Sequence, residues 1–254
     1  MDTSIVFAII LFSLYNDAPC VAIPSLNRPV TCFCTSPEDK LMRVRYQTIE
    51  FKEVDIHLKT LRDAQEFNDP LGEAEALGIS SAQWSLFGVL WDSGKVLALV
   101  MESYDIEDKR ILEIGCGMAL SSLLLNSRKA NITATDYHPE AGNFLLENAI
   151  LNQGAKVPFL RTSWQNEEDG LGEFDLLIGA DLLYEREHID LLSKFIHRHA
   201  KPTCEVILVD PGRGNHATFS KKMVELGFDH SQETVAKSAI DFTSKGVILT
   251  YRRT

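Results

Sequence analysis

Two glycines, Gly115 and Gly117, stand either side of Cys116 directly after the short apolar run Ile111-Leu112-Glu113-Ile114. Such spacing permits a tight turn and leaves bare backbone against which a ligand can lie. A second run, Ile132-Thr133-Ala134-Thr135, ends on Asp136, 21 residues after Gly115. Strand, glycine loop, helix, strand and terminal carboxylate make the first half of a nucleotide-binding βαβ unit. Further on, Phe174–Ala180 runs into Asp181-Leu182-Leu183-Tyr184. Ligands in open α/β sheets sit outside the carboxyl ends of the strands. Asp181 and Tyr184 are therefore expected to face the same crevice as Gly115 and Asp136. Asp210 and Arg213, after a further strand, reach that crevice too, as substrate contacts or as a turn with an exposed arginine.

The elements that must position these residues follow from apolar spacing. Ile111–Ile114 is too short for a helix and suits a buried parallel strand. Leu120, Leu123 and Leu124 mark a helix whose first amides point back at the glycine loop, with Ser121 and Ser122 near its start. A helix follows Pro139 through Phe144, Leu145, Asn148, Leu151 and Asn152, with Gly154 as its stop. Further strands are expected at Val157–Leu160 and Glu205–Val209, then a helix over His216–Leu226 stopped by Gly227. Phe228–His230 and Gly246–Tyr251 form a closing strand pair. Ahead of the loop, Arg43–Glu53 alternates as a strand or hairpin arm that Ile56–Leu58 extends. Glu66–Ala76 is an acidic loop, and Asp92 or Ser93 caps a helix through Val96, Leu97 and Val100. The fold class is α/β, a Rossmann-like doubly wound, mostly parallel sheet.

Which nucleotide the loop accepts turns on two positions. A dinucleotide fingerprint places a third glycine three residues after Gly117, where this chain has Leu120. Glu113, two residues before the first glycine, is awkward beside a pyrophosphate and compatible with a cationic ligand. The pattern hydrophobic-Glu-hydrophobic-Gly-x-Gly resembles the first motif of the seven-stranded S-adenosyl-L-methionine-dependent methyltransferases. That resemblance, which spans roughly Trp84 to Tyr251, implies that Gly115 and Gly117 pass under the methionine moiety and that Asp136 takes the ribose hydroxyls. It also implies that the sheet has an antiparallel closing strand. It places Trp91 near the methionine end of the cofactor and Trp164 at the adenine, with Ser163 where the family commonly has an acid. Asp181-Leu-Leu-Tyr184 resembles the Asp-x-x-Tyr motif of the protein lysine methyltransferases rather than the Asn-Pro-Pro-Tyr of amide and adenine methylators. A carboxylate favours an ammonium, whereas a planar amide or base needs carbonyl-type clamps. The cofactor-binding set implied is Trp91, Glu113, Gly115, Gly117, Asp136, Trp164 and Asp181, and the catalytic pair Asp181 and Tyr184. For Trp91 and Trp164 the plain alternatives are a packing residue and an exposed loop aromatic. Alternatives at the level of function are a small-metabolite or protein-histidine methyltransferase, or a silent cofactor-binding partner subunit.

Composition bounds the rest. With 254 residues, 45% of them hydrophobic, the chain can bury one good-sized core. A formal net charge of −11 argues against wrapping a phosphate backbone and so disfavours nucleic acid as substrate; the protein substrate is what the resemblance implies. The five cysteines (Cys20, Cys32, Cys34, Cys116, Cys204) include no CxxC pair, so no metal site or disulfide framework is expected. His197 and His199 fall on different helix faces and are expected to be solvated. The apolar run Ile5–Phe12 is shorter than the about twenty residues a bilayer needs. No Lys or Arg precedes it, unlike a secretory signal. Residues 1–41 are expected to be a non-folding extension or a start-site artefact, with a signal peptide as the alternative. A methyltransferase domain with an N-terminal arm is expected over 42–254, working in the cytoplasm.

Overall fold

The computed structural model describes residues 42–235 and 246–254. The expected N-terminal extension, with Cys20, Cys32 and Cys34, lies outside the described residues. At the centre is β3 (Arg110–Ile114), four of whose five residues are buried, as a strand covered on both faces must be. It pairs in parallel with β4 (Asn131–Asp136) on one side and β6 (Phe174–Ala180) on the other. With β5 (Phe159–Arg161), β7 (Ala200–Asp210), β8 (Asp229–Thr234) and β9 (Val247–Arg253), the sheet runs β5-β4-β3-β6-β7-β9-β8. Only β9 pairs antiparallel, with both β7 and β8. The strand order reverses at β3, so the crevice opens at its carboxyl end.

Alternation along the strands separates two cores. Ile111 and Leu176 pack with Leu97, Leu123 and Leu145 from α2 (Asp92–Glu102), α3 (Leu120–Ser127) and α4 (Ala141–Leu151). Leu112 and Leu177, one residue on, pack with Phe195 and Phe219 from α5 (His188–His199) and α6 (His216–Glu225). The expected doubly wound architecture is thus present, helices covering both faces.

The arm is a hairpin, β1 (Val44–Glu50) with β2 (Asp55–Leu61), forming its own two-stranded sheet. Asn148 on α4 and Asn152 at its C-cap, one helical turn apart, dock it. Asn148 Oδ1 accepts from the Lys59 amide at 2.7 Å and its Nδ2 donates to the Lys59 carbonyl at 3.1 Å. Asn152 repeats the pair on His57 at 2.8 and 2.7 Å. The free edge of β2 is satisfied by side chains instead of another strand.

Several expectations shift. Val157 is buried but precedes β5, because Pro158 has no amide to give the ladder. The α4 helix ends at Leu151 and Gln153, not Gly154, takes the left-handed turn, at φ 53°. Neither Asp92 nor Ser93 caps α2: it starts on Asp92, and the cap position is Trp91 without a side-chain bond. Within the acidic loop, Asp69 accepts from the amides of Ala74 and Glu75 at 3.0 and 2.8 Å and so starts a single turn, α1 (Glu73–Ala76). His199, expected in solvent, is buried under the loop after β5. Its Nδ1 lies 2.7 Å from the Gly172 carbonyl and its Nε2 3.0 Å from Asp169 Oδ2. His197 is exposed. No helix among the described residues is long and apolar enough to cross a membrane, and no group of three metal-binding side chains gathers among them.

Candidate active site

The glycine loop turns because three consecutive odd positions are left-handed: Gly115 at φ 58°, Gly117 at 49° and Ala119 at 56°. Two of these are affordable only as glycine. A Cβ on Gly117 would stand 3.1 Å from the Phe87 carbonyl oxygen, and one on Gly115 would meet Leu182 Cδ2 at 2.6 Å. The loop is therefore pressed between the turn Leu86–Gly88 and the residue that follows Asp181. Asp136 ties it to β4, since its Oδ2 accepts from the Gly117 amide at 2.8 Å and its Oδ1 from the His138 amide at 2.9 Å. Burial raises the Asp136 carboxyl above its ordinary range, while the His138 and Gly117 amides oppose the rise.

Glu113 does not lie free beside the loop. Its Oε2 accepts from the Ser122 amide at 2.9 Å and from the Ser122 hydroxyl, which draws the carboxyl under α3 although it still borders the cleft. Burial pushes it up to about 7 against those two donors. A carboxyl whose folded pKa exceeds its unfolded one contributes stability below the unfolded value and loses it as pH rises through the folded one. Glu113→Gln keeps an acceptor for Ser122 and cannot ionise. Relative to that variant, the wild-type protein is expected to lose on the order of 2 kcal/mol between about pH 5 and about pH 8, measured by urea unfolding. A pH-independent difference would refute this assignment. Ser121 Oγ, in the same first turn of α3, is buried at the cleft wall with no hydrogen-bond partner among the described residues.

At the end of β6, Asp181 is itself left-handed at φ 58°, an uncommon state for a residue with a side chain, and its amide donates to the Val209 carbonyl at 2.9 Å. Its carboxylate is gripped by both terminal nitrogens of Arg213, one of them at 3.2 Å. Burial raises the Asp181 carboxyl and the Arg213 guanidinium lowers it, with the rise prevailing. Asp210, the other residue of that loop considered for substrate contact, is buried and accepts from the Gly212 amide at 2.7 Å. Tyr184 is exposed, and burial of its hydroxyl end with nearby acids pushes the phenol up to about 12, so it stays protonated.

The cleft between these parts holds about 670 Å³. Gly115, Gly117, Asp136, Asp181 and Tyr184 all line it, as do Trp91 and Trp164. Trp91 is exposed, with its Nε1 donating to the Leu86 carbonyl at 2.9 Å. Trp164 is half-buried and meets His188 edge-on at 5.0 Å, and His188 meets Tyr184 likewise at 4.5 Å. That row of three rings joins the two strand ends, and His188 was not singled out from the sequence. Neither was His138, which stacks on Phe87 at 3.8 Å and is pushed down to about 4 by burial, hence neutral. No spacing rule marks a histidine two residues past a strand-end acid; only the tertiary contact reveals it.

A family model described as "Lysine methyltransferase" matches residues 76–226, more than half of the chain. This chain belongs to the lysine methyltransferase family. The matched span holds the glycine loop, Asp136, Asp181, Tyr184 and Arg213, so every cleft element described above lies within the lysine methyltransferase region, while the hairpin arm and β9 lie outside it. Among relatives, the Danio rerio protein N-lysine methyltransferase METTL21A is 31% identical over 139 residues, 50% of this chain and 63% of that one. The Bos taurus protein-lysine methyltransferase METTL21E is 32% identical over 123 residues, 43% of this chain and 42% of that one. The matches thus span less than two thirds of these relatives. A solved T. thermophilus 16S rRNA methyltransferase, in complex with AdoMet and guanosine, superposes with a TM-score of 0.58 at 12% identity, over 84% of this chain and 51% of that one. That likeness is one of fold.

Proposed function

We propose that the chain is an S-adenosyl-L-methionine-dependent methyltransferase that modifies lysine side chains of a protein substrate. One observation carries the proposal: a strand-end carboxylate, Asp181, immediately precedes the residue that packs on Gly115, so acceptor and donor positions adjoin. The family and the names of its relatives support the same assignment.

The residues present suit the donor. The left-handed loop leaves side-chain-free backbone along the cleft, the Ser121 hydroxyl awaits a partner, and Asp136 stands at the strand end with lone pairs beyond the two amides it accepts. Asp136 would hold the ribose hydroxyls, Trp164 would wall the adenine side and Trp91 the methionine end. When bound, the donor supplies an electrophilic methyl group on a cationic sulfur. Asp181 orients the lysine amine toward that methyl, and Tyr184 lines the channel as a neutral phenol. Positioning of this kind contributes on the order of several kcal/mol. The amine must lose a proton first, and a desolvated site beside positive charge lowers its pKa.

Calorimetry is expected to register heat with S-adenosylmethionine and none with NAD; the reverse overturns the cofactor assignment. With radiolabelled donor in lysate, label is expected on a protein lysine. Label confined to a histidine or a small molecule would replace the acceptor.

A further inference from the structure

Among the described residues, Arg213 is the one cation bonded to the acid at the acceptor position, and its setting differs from that of an ordinary structural arginine. Its guanidinium forks onto both oxygens of Asp181, which accept from no other group among the described residues. The two partners are unequal in freedom. The Asp181 side chain is 13% exposed on a backbone held by Val209, whereas that of Arg213 is 44% exposed. The Arg213 loop is pinned at both roots: Gly212 donates to Asp210 at 2.7 Å and Asn215 Nδ2 to the Leu183 carbonyl at 2.8 Å. Between the pins Arg213 is flanked by Gly212 at φ 91° and Gly214 at φ 98°, and a Cβ on Gly214 would touch nothing within 4 Å. The arginine can swing into solvent and rehydrate; the aspartate cannot follow it.

We propose that Arg213 is the resident occupant of the acceptor-amine position, a built-in stand-in that a substrate lysine must displace from Asp181. A long aliphatic stem ending in a cation on this carboxylate is what a lysine would present, delivered from the chain itself. The exchange replaces one cation by another, so the half-buried acid is never left without a partner, the arrangement that costs most. Arg213 thereby sets how good an acceptor must be: a lone lysine competes poorly with a tethered bidentate guanidinium, and a docked protein lysine competes well. The proposal rests on Asp181 facing the acceptor, as in the function proposed above.

The test uses the full chain and two probes. Nα-acetyl-lysine methylamide, with Nα-acetyl-norleucine methylamide as the uncharged control, reads the acceptor position by NMR titration, and S-adenosylhomocysteine reads the donor position by calorimetry. Arg213→Ala is expected to bind the lysine probe about tenfold more tightly than wild type. Arg213→Gln, which keeps most of the stem and loses the charge, is expected to do the same, and Arg213→Lys to stay near wild type. Adding Asp181→Asn to Arg213→Ala is expected to abolish the gain. A structural role alone would weaken binding or leave it unchanged. Unchanged or weaker lysine binding in both neutral variants, with S-adenosylhomocysteine still bound, overturns the stand-in role while leaving the methyltransferase proposal in place. Failure of wild type to bind S-adenosylhomocysteine instead removes the functional proposal on which this one rests.

Discussion

Asp136→Ala is expected to raise the dissociation constant for S-adenosylmethionine about a thousandfold, corresponding to about 4 kcal/mol. Two losses add. The first is the pair of ribose hydroxyls, whose hydrogen bonds to a charged acceptor are worth about 1.5 kcal/mol each. The second is internal, because Asp136 already accepts from the Gly117 and His138 amides at 2.8 and 2.9 Å. Without it the left-handed glycine turn loses its tie to β4 and the donor must order the loop itself. Asp136→Asn keeps one acceptor oxygen but turns an NH₂ toward one of those amides, so its effect is expected to fall between. Calorimetry gives the constants, and circular dichroism shows whether the sheet persists. A dissociation constant within about threefold of wild type in a folded Asp136→Ala protein would remove Asp136 from donor binding.

The parts of this site that lie in one βαβ unit were legible in the sequence. Gly115, Gly117 and Asp136 are local: a strand, its turn and the next strand end, each marked by apolar runs and by residues with few structural substitutes. The end of β6 was legible too, because a run ending in Asp181 must deliver that residue to the same edge as β3. The pairing of Asp181 with Arg213 was not, since the two are 32 residues apart and the choice between turn and contact depends on how the β7–α6 loop folds back. Glu113 shows the converse limit. Its position beside the loop suggested a ligand contact, yet Ser122 on the facing helix captures it. His199 misled for a related reason: periodicity places it on a helix face but says nothing of the loop that covers that face. The hairpin could be read as extended, whereas its docking by Asn148 and Asn152 requires knowing that α4 lies along β2.

The cleft couples its two ends through packing as well as charge. Leu182 presses on the bare positions Gly115 and Gly179, so the backbone that presents Asp181 is seated on the glycine loop. Asp136, Asp181, Glu185 and Glu187 line the same cleft as Arg213 and His188. Gln83 lines it too and donates to Glu185 at 2.6 Å. These four acids among the lining residues accord with a cationic, lysine-bearing acceptor and favour its encounter electrostatically.

Asp181→Asn is therefore expected to lower the rate of methyl transfer about a hundredfold even at saturating donor, because it removes the charge that orients the amine without altering the glycine loop or Asp136. The amide is nearly the size of the carboxylate, and Asn tolerates the left-handed backbone at φ 58°, so the strand end should survive the change. Arg213, its side chain 44% exposed, can release to water and is not left as a buried unpaired cation. Asp181→Ala removes the acceptor oxygens as well and should be at least as slow. Single-turnover transfer of radiolabelled methyl groups, at donor concentrations far above its dissociation constant, separates loss of chemistry from loss of binding. Were Asp181→Asn to bind donor normally and transfer at the wild-type rate, the acceptor amine would be oriented by some other group. Tyr184 would then be the next to test: its phenol stays protonated, so Tyr184→Phe would report the loss of a hydrogen bond rather than of a base.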